Sequence, residues 1–323
     1  MGKILAIALN TFKEAVRNKV LYFLLIFALL IMGFSSVISD LSIAAPEKMV
    51  IDLGLGAIDF FGFLISVFVG IYLIYNEMER KTIYTIVSKP IDRQQFILGK
   101  YFGLLITVYV NIAIMSIFFF TVLYFREATQ PDVVTKAIFK ELGPGKFESV
   151  GNYYVYHVQA FFIAAGKGIA TLFGYWEPIT HHLLRVVFMS AMSLAIITAF
   201  AILYSTFSTP TLSAVFTFLT FIIGNLCEDI LRYADKLAQK AGGVAQLVGP
   251  DKMKYWFAMV ATHITPNLAL LDKFSDAVHG PWDAKTPTIH SVPIDWVVVV
   301  YGITYVAGVL SLACLIFNRR NFK

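Results

Sequence analysis

The chain of 323 residues is 58% hydrophobic and only 15% charged, with a formal net charge of +5 at pH 7. Soluble domains are about 45–50% apolar and about 25% charged, so this composition favours an integral membrane protein. In such a protein, basic excess more often reports the orientation of loops than nucleic-acid binding. We therefore expect membrane lipid, and no nucleic acid, around this chain.

Residues 1–19 predict an amphipathic helix that lies in the membrane interface. Apolar residues recur at helical spacing on one face, and polar residues take the other. The apolar face holds Leu5, Leu9, Phe12 and Val16, and the polar face holds Asn10, Lys13, Glu14 and Arg17. The alternative is an N-terminal extension of the first membrane span. The charged face argues against full insertion of the helix.

Six segments are apolar and long enough to cross about 30 Å of hydrocarbon, which takes about 17–25 residues. They are residues 20–38, 53–75, 101–125, 186–207, 211–230 and 296–317. Backbone groups in lipid must be satisfied internally, and the alternation expected of barrel strands is absent, so we expect helices. The fifth segment is the least regular because Cys227, Glu228 and Asp229 make its far end polar. The sequence predicts an all-α integral membrane protein.

Lysine and arginine are densest in residues 1–19, in the loop 76–100 and in the tail after residue 317. Under the positive-inside rule these parts face the cytoplasm, so we expect a multi-pass protein of the inner (cytoplasmic) membrane with both termini inside. The predicted organisation is a helix over 1–19, spans 1–3 within 20–125, spans 4–5 within 186–230, and span 6 with a basic tail over 296–323. The segments 126–185 and 231–295 are extracytoplasmic.

Two further apolar stretches, 154–176 and 255–271, lie inside these extracytoplasmic segments. If both crossed, the chain would have eight spans and its termini would still face the cytoplasm. Lys167 near the middle of the first stretch would cost about 2.5–3.5 kcal/mol in a span. Polar residues, including His263 and Asn267, interrupt the second. We therefore expect external or re-entrant helices at both.

The polar loop 76–100 has an internal organisation. Residues 77–87 can continue the second span or form a separate short helix. Pro90 restricts Lys89 to extended geometry and ends that helix. Asp92 followed by Gln95 resembles a capping box that opens the next helix. On spacing alone, an ordinary basic loop that anchors topology explains the pattern equally well.

The loop resembles the first cytoplasmic loop of membrane subunits in the ABC-2 type transporter family. The matching residues are Glu79, Arg80, Lys81, Thr82, Ile83, Ser88, Lys89, Pro90, Ile91, Arg93, Phe96, Leu98, Gly99 and Lys100, with Lys81 where the family commonly has Gly. The N-terminal helix, the basic C-terminus and the segment Pro266, Asn267, Leu268 also resemble the family. The subgroup it most resembles is the permeases labelled with multi-copper enzyme maturation.

This resemblance implies a six-helix half-transporter that pairs with a second permease copy or a related subunit. Its loop would be a coupling helix that docks on a separate ABC ATPase. The residues implied in coupling are Glu77, Glu79, Arg80, Lys81, Thr82, Ile83, Ser88, Lys89, Pro90 and Arg93. The sequence lacks the GxxxxGK[ST] motif that cradles phosphate. We therefore expect no cofactor and no enzyme activity on this chain, with ATP and Mg on the partner ATPase.

Asp59 and Asn111 lie inside the second and third spans, where polar groups are costly and tend to face a cavity or another helix. Both are candidates to line a translocation path, although Asp59 fits the outer interface equally well. The six histidines have no spacing typical of metal ligands, so no metal site is predicted.

Three functions are compatible with this sequence. The first is an ABC export permease. The second is an assembly factor that uses the same fold and an ATPase for work on an extracytoplasmic protein partner. The third, an intramembrane enzyme, is disfavoured because GxSxG, HExxH and paired intramembrane aspartates are missing.

Overall fold

The computed structural model describes residues 2–40, 46–79, 92–129, 178–246, 248–271 and 296–319. Over these ranges the chain forms nine α-helices, a short 3₁₀ turn at Val244–Gln246 and no strand. The helices are α1 (Gly2–Val16), α2 (Lys19–Asp40), α3 (Pro46–Glu79), α4 (Arg93–Thr129), α5 (Pro178–Phe207), α6 (Pro210–Asn225), α7 (Cys227–Lys240), α8 (Pro250–Ile264) and α9 (Trp296–Arg319).

Five of these helices (α2, α3, α4, α5 and α9) are long and apolar enough to cross a membrane, and the bent pair of α6 and α7 qualifies jointly. The predicted all-α, multi-pass architecture is therefore confirmed. The helices also extend past the predicted spans. The 37 residues of α4 reach about 55 Å at 1.5 Å per residue, well beyond the hydrocarbon layer. Hydropathy marks only the part of a helix that lies in lipid. The polar start of α4 was predicted instead from Asp92 and Gln95, and a continuation of the second span past residue 76 was one of two possibilities.

The prediction of one continuous fifth span over 211–230 is wrong in its last residues. Helix α6 ends at Asn225, and the chain bends by 61° at Leu226 before α7 begins. Glu228 and Asp229 occupy the first turn of α7, where negative charge is favourable at a helix N-terminus. These carboxylates would be costly in hydrocarbon. The polar residues therefore form a separate amphipathic helix, α7, whose axis is bent away from that of α6.

Helices α3 and α5 form the centre of the bundle. In their apolar windows 72% and 78% of residues are buried, against 39% in α4 and α9 and 22% in α2. The remaining spans pack around this pair, with α2 on α3 and α9 on α5. The outer face of α2 exposes Phe23, Ile26, Leu30 and Phe34. Such a surface suits lipid or a second membrane subunit.

Candidate functional site

Helix α1 packs closely against the beginning of α4. Its inward face buries Ala8, Thr11 and Ala15. A Cβ atom built on Gly103 would lie 2.6 Å from the carbonyl oxygen of Ala8, and one built on Gly99 would lie 2.7 Å from the side chain of Ile7. Two glycines four residues apart share one face of a helix and let another backbone approach. Only glycine fits this contact without moving α1.

The other two faces of α1 match the predicted amphipathic pattern. Leu5 and Leu9 are 59% and 47% exposed, on a face that suits lipid. Lys13 and Arg17 are exposed on another face, which suits water. At about 100° per residue, Leu5 and Leu9 lie roughly 110° from the inward face, and Lys13 and Arg17 lie about 80° further round, nearly opposite that face. The inward face of small residues was not predicted, because its recognition requires knowing the partner helix.

Lys100 is almost fully buried where α1 meets α4. Its side chain is 1% exposed, and its Nζ lies 3.6 Å from Oε2 of Glu14, whose side chain is 34% exposed. The same ammonium group lies 6.0 Å from the centre of the Phe96 ring. A charge is buried at high cost unless it is paired. The pair therefore fixes how α1 lies against α4.

The first residues of α4 also contact the last turn of α9. Nη1 of Arg93 donates to the carbonyl oxygens of Phe317 and Asn318, at 3.4 and 3.1 Å. Phe96 stacks on Phe317, with 5.9 Å between the ring centres. The last carbonyls of a helix have no partner within it, and a cation is favourable there. We call Glu14, Arg93, Phe96, Lys100 and Phe317 the α1–α4–α9 junction.

The predicted start of the helix after the loop is confirmed. Helix α4 begins at Arg93, directly after Asp92. Gln95 donates through Nε2 to Oδ2 of Asp92 at 2.8 Å, and the Phe96 N–H donates to the Asp92 carbonyl oxygen. This bond joins the two side chains, whereas the predicted capping box would join each side chain to the backbone N–H of the other residue.

The predicted coupling residues divide into two groups. Glu77 and Glu79 lie in the last turn of α3, which ends at Glu79, and Arg93 begins α4. The remaining residues lie outside the described part of the chain: Arg80, Lys81, Thr82, Ile83, Ser88, Lys89 and Pro90. The loop is thus attached at both ends to long helices, and its second attachment is the α1–α4–α9 junction.

Asn111 and Asp59 occupy different environments. Asn111 is 4% exposed, and its Nδ2 donates to the Thr107 carbonyl oxygen at 2.8 Å within α4. Its Oδ1 is buried, with no hydrogen-bond partner among the described residues. Asp59 is half-buried on α3. A place for either residue in a translocation path stays a prediction.

A groove of about 690 Å³ lies between α4, α5 and α9. It is lined mainly by apolar and aromatic side chains, among them Tyr101, Phe102, Tyr109, Met192 and Leu310. Neither Asp59 nor Asn111 is among its lining residues, so this groove is not the path that the two polar residues suggested.

At the opposite end of the bundle, the segment after α8 folds back onto the end of α6. The Leu268 N–H donates to the Gly224 carbonyl oxygen at 3.0 Å. The Asn267 N–H donates to Oη of Tyr301 at 2.9 Å, and Oη of Tyr305 donates to the Ile264 carbonyl oxygen at 3.1 Å. We call these six residues the α6–α9 corner.

The α6–α9 corner contacts α9 some distance after the first residue of that helix. Tyr301 and Tyr305 follow the first residue of α9, Trp296, by about 7 and 14 Å along the helix axis. Helix α8 has 15 residues, about 22 Å, and is too short to cross the hydrocarbon layer. A helix of this length is compatible with the external or re-entrant helix expected for residues 255–271, and the choice between the two stays a prediction. The other such stretch, 154–176, lies outside the described residues.

A family model described as ABC-2 family transporter protein matches residues 5–322. No curated protein was found to match the sequence. The match includes the loop 76–100, α1 from Leu5 onward and the C-terminal residues to Phe322, on which the resemblance rested. It does not single out the multi-copper enzyme maturation subgroup, which stays a prediction. Since the match covers nearly the whole sequence, the chain belongs to the ABC-2 family of transporter proteins, as a multi-pass membrane component.

Proposed function

We propose that this chain is the membrane-spanning permease subunit of an ATP-driven exporter of the inner membrane, with both termini in the cytoplasm. A separate ABC ATPase hydrolyses ATP with Mg, and it docks on the loop 76–100. Two permease subunits, identical or related, form the translocation unit. Family membership supports the permease role and an ATPase partner.

The observation that carries the proposed coupling is the attachment of the loop at both of its ends. Before it stands α3, which lies at the centre of the bundle with α5. After it stands α4, which the α1–α4–α9 junction holds to α1 and α9. Movement of an ATPase bound to the loop would therefore act on four helices at once. Long helices transmit such movement as rigid bodies, which is a common basis of alternating access.

A second candidate function is mechanical work on an extracytoplasmic protein partner without transport. The observation that favours it is an apolar stripe on α8, which turns Met253, Trp256, Phe257, Val260 and Ile264 away from the bundle. Exposed apolar patches mark sites of contact with proteins or membrane. Lipid, peptide and drug probes separate the two functions in liposomes, because only a transporter couples probe movement to ATP hydrolysis.

The docking proposal is tested by reversing two charges, Glu79→Lys with Arg80→Glu. We expect the variant to insert into the membrane normally and to co-purify with much less ATPase, because its charges no longer match the docking groove. The matched control is Asp251→Lys with Lys254→Asp. That pair is exposed on α8, with 3.0 Å between its charged groups, and contributes little. Normal ATPase recovery with the first variant would count against docking at this loop.

A further inference from the structure

We propose that the ion pair between Lys100 and Glu14 is a positioning device that carries movement of α4 to α1 and then to the first span, α2. This inference rests on the proposed function, because it requires that an ATPase moves α4. It adds a second route for that movement, distinct from the one through α3. Lys100 and Glu14 are positioning residues, which act on substrate only through the helices that they hold.

The chemistry of the contact suggests a role other than filling space. Gly99 and Gly103 already let α1 and α4 approach to backbone contact. A methionine has nearly the length of a lysine and could fill the same volume without a buried charge. Replacement of buried ion pairs by apolar residues is often neutral or stabilising. Stability alone therefore does not explain why Lys100 is charged at 1% exposure.

The ion pair can fix the register of α1 against α4, which is the position of α1 along and around α4. A contact lined by small residues sets the distance between two helices but resists sliding or rotation only weakly. An ammonium group 3.6 Å from a carboxylate fixes one point on α1 to one point on α4. Specification of register is the best-attested use of buried polar groups between helices. With this pair in place, α1 follows α4 along its axis and around it.

Movement of α1 has a short path to α2. The two helices are separated only by Arg17 and Asn18. Oδ1 of Asn18 accepts from the Val20 N–H at 3.0 Å, so Asn18 caps the start of α2. A capped connection of two residues allows little independent movement of α1 and α2. Helix α2 must then move with α1. With 22% of its apolar window buried, α2 is less enclosed than α3, α4, α5 and α9.

The test compares Glu14→Gln, Lys100→Met and the double variant in the full permease–ATPase complex in lipid nanodiscs. Spin labels are placed at Lys13→Cys and Gln94→Cys, which are exposed on α1 and α4. A reference pair uses Gln94→Cys with Lys236→Cys on α7. Both native cysteines, Cys227 and Cys314, are replaced first. Distances are measured without nucleotide and with Mg-ATP and vanadate, in complexes diluted with unlabelled permease.

In the permease with the intact ion pair, we expect nucleotide to shift the distance between the reference labels at residues 94 and 236. We expect the distance between the labels at residues 13 and 94 to stay unchanged. In the double variant, from which both charges of this pair are removed, we expect a wild-type unfolding midpoint. We also expect a nucleotide-dependent shift between Lys13 and Gln94 that the wild type lacks. Glu14→Gln changes a half-exposed residue without loss of volume. It should show the same shift, and it keeps the test decisive if Lys100→Met folds poorly.

Two results would overturn the inference. If the double variant keeps the distance between Lys13 and Gln94 fixed in both states, the ion pair has only a structural role. If that distance already shifts in the wild type, α1 does not follow α4. In both cases the ATPase is bound and the proposed function stands. Absence of an ATPase, or of any nucleotide effect on the reference pair, instead contradicts the proposed function and this inference with it.

Discussion

Replacement of Gly103 by alanine is the most direct test of the contact between α1 and α4. The added Cβ would lie 2.6 Å from the Ala8 carbonyl oxygen and 2.6 Å from Cβ of Thr11, where an ordinary contact begins at 3.4 Å. Helix α1 must therefore move by about 0.8 Å. Neither neighbouring atom is the end of a flexible side chain, so the backbone of α1 itself has to shift. Overpacking of this kind costs about 1–3 kcal/mol.

The loss of stability caused by Gly103→Ala is best measured relative to Gly308→Ala in α9. A Cβ at Gly308 meets nothing within 4 Å. Both substitutions gain helix propensity, by about 0.8–1.0 kcal/mol each, so this effect cancels when the two variants are compared. The remaining difference is the steric cost at Gly103 alone. We expect Gly103→Ala to be about 1–3 kcal/mol less stable than Gly308→Ala.

The assay is thermal unfolding of the two variants and the wild type in the same nanodiscs, with protection of α1 backbone amides followed by hydrogen exchange. We expect Gly308→Ala to unfold at or above the wild-type temperature and Gly103→Ala below it, with faster exchange confined to α1. If both variants unfold at the same temperature and α1 stays equally protected, the close approach of α1 to α4 is refuted.

Two further substitutions test the remaining contacts of the junction and the corner. Arg93→Met removes the hydrogen bonds to the last carbonyls of α9, so we expect about 1 kcal/mol of local destabilisation and faster amide exchange in its last turn. Arg232→Met, on exposed α7, is the control, and equal exchange in both variants contradicts the contact. Tyr301→Phe removes the acceptor of the Asn267 N–H and should cost about 1–3 kcal/mol in thermal unfolding. Tyr233→Phe, exposed on α7, should have no effect, and a neutral Tyr301→Phe would contradict the bond.

The spans could be predicted because hydrophobic length is a property of each segment by itself. The bend at Leu226 was only hinted at by Cys227, Glu228 and Asp229. Its position depends on a segment some 40 residues later, since Leu268 donates to Gly224 at the end of α6. A contact of that range leaves no trace in local periodicity. For the same reason the docking position of this segment could not be predicted.

The sequence named residues of the candidate site, but the contacts that these residues make were not predicted. Arg93 was assigned to ATPase docking by resemblance, and the structure places it on the end of α9. Its part in docking stays a prediction. Lys100 belonged to the matching motif, but its burial against Glu14 could not be inferred, because Glu14 lies 86 positions away. Glu14 was expected on the polar face of α1, and it lies at the edge of that face, half-buried.

The junction and the corner, at opposite ends of the bundle, share one physical solution. Lipid removes the hydrophobic force that joins helices in water, so close packing and polar bonds must do this instead. At the junction, Gly99 and Gly103 admit α1 and the ion pair of Lys100 fixes it. At the corner, Gly224 admits the segment after α8. The hydroxyl of Tyr301 fixes that segment to α9, and the hydroxyl of Tyr305 fixes the last residue of α8 to it. Because α9 takes part at both ends, a change at the loop can reach the corner through one continuous helix.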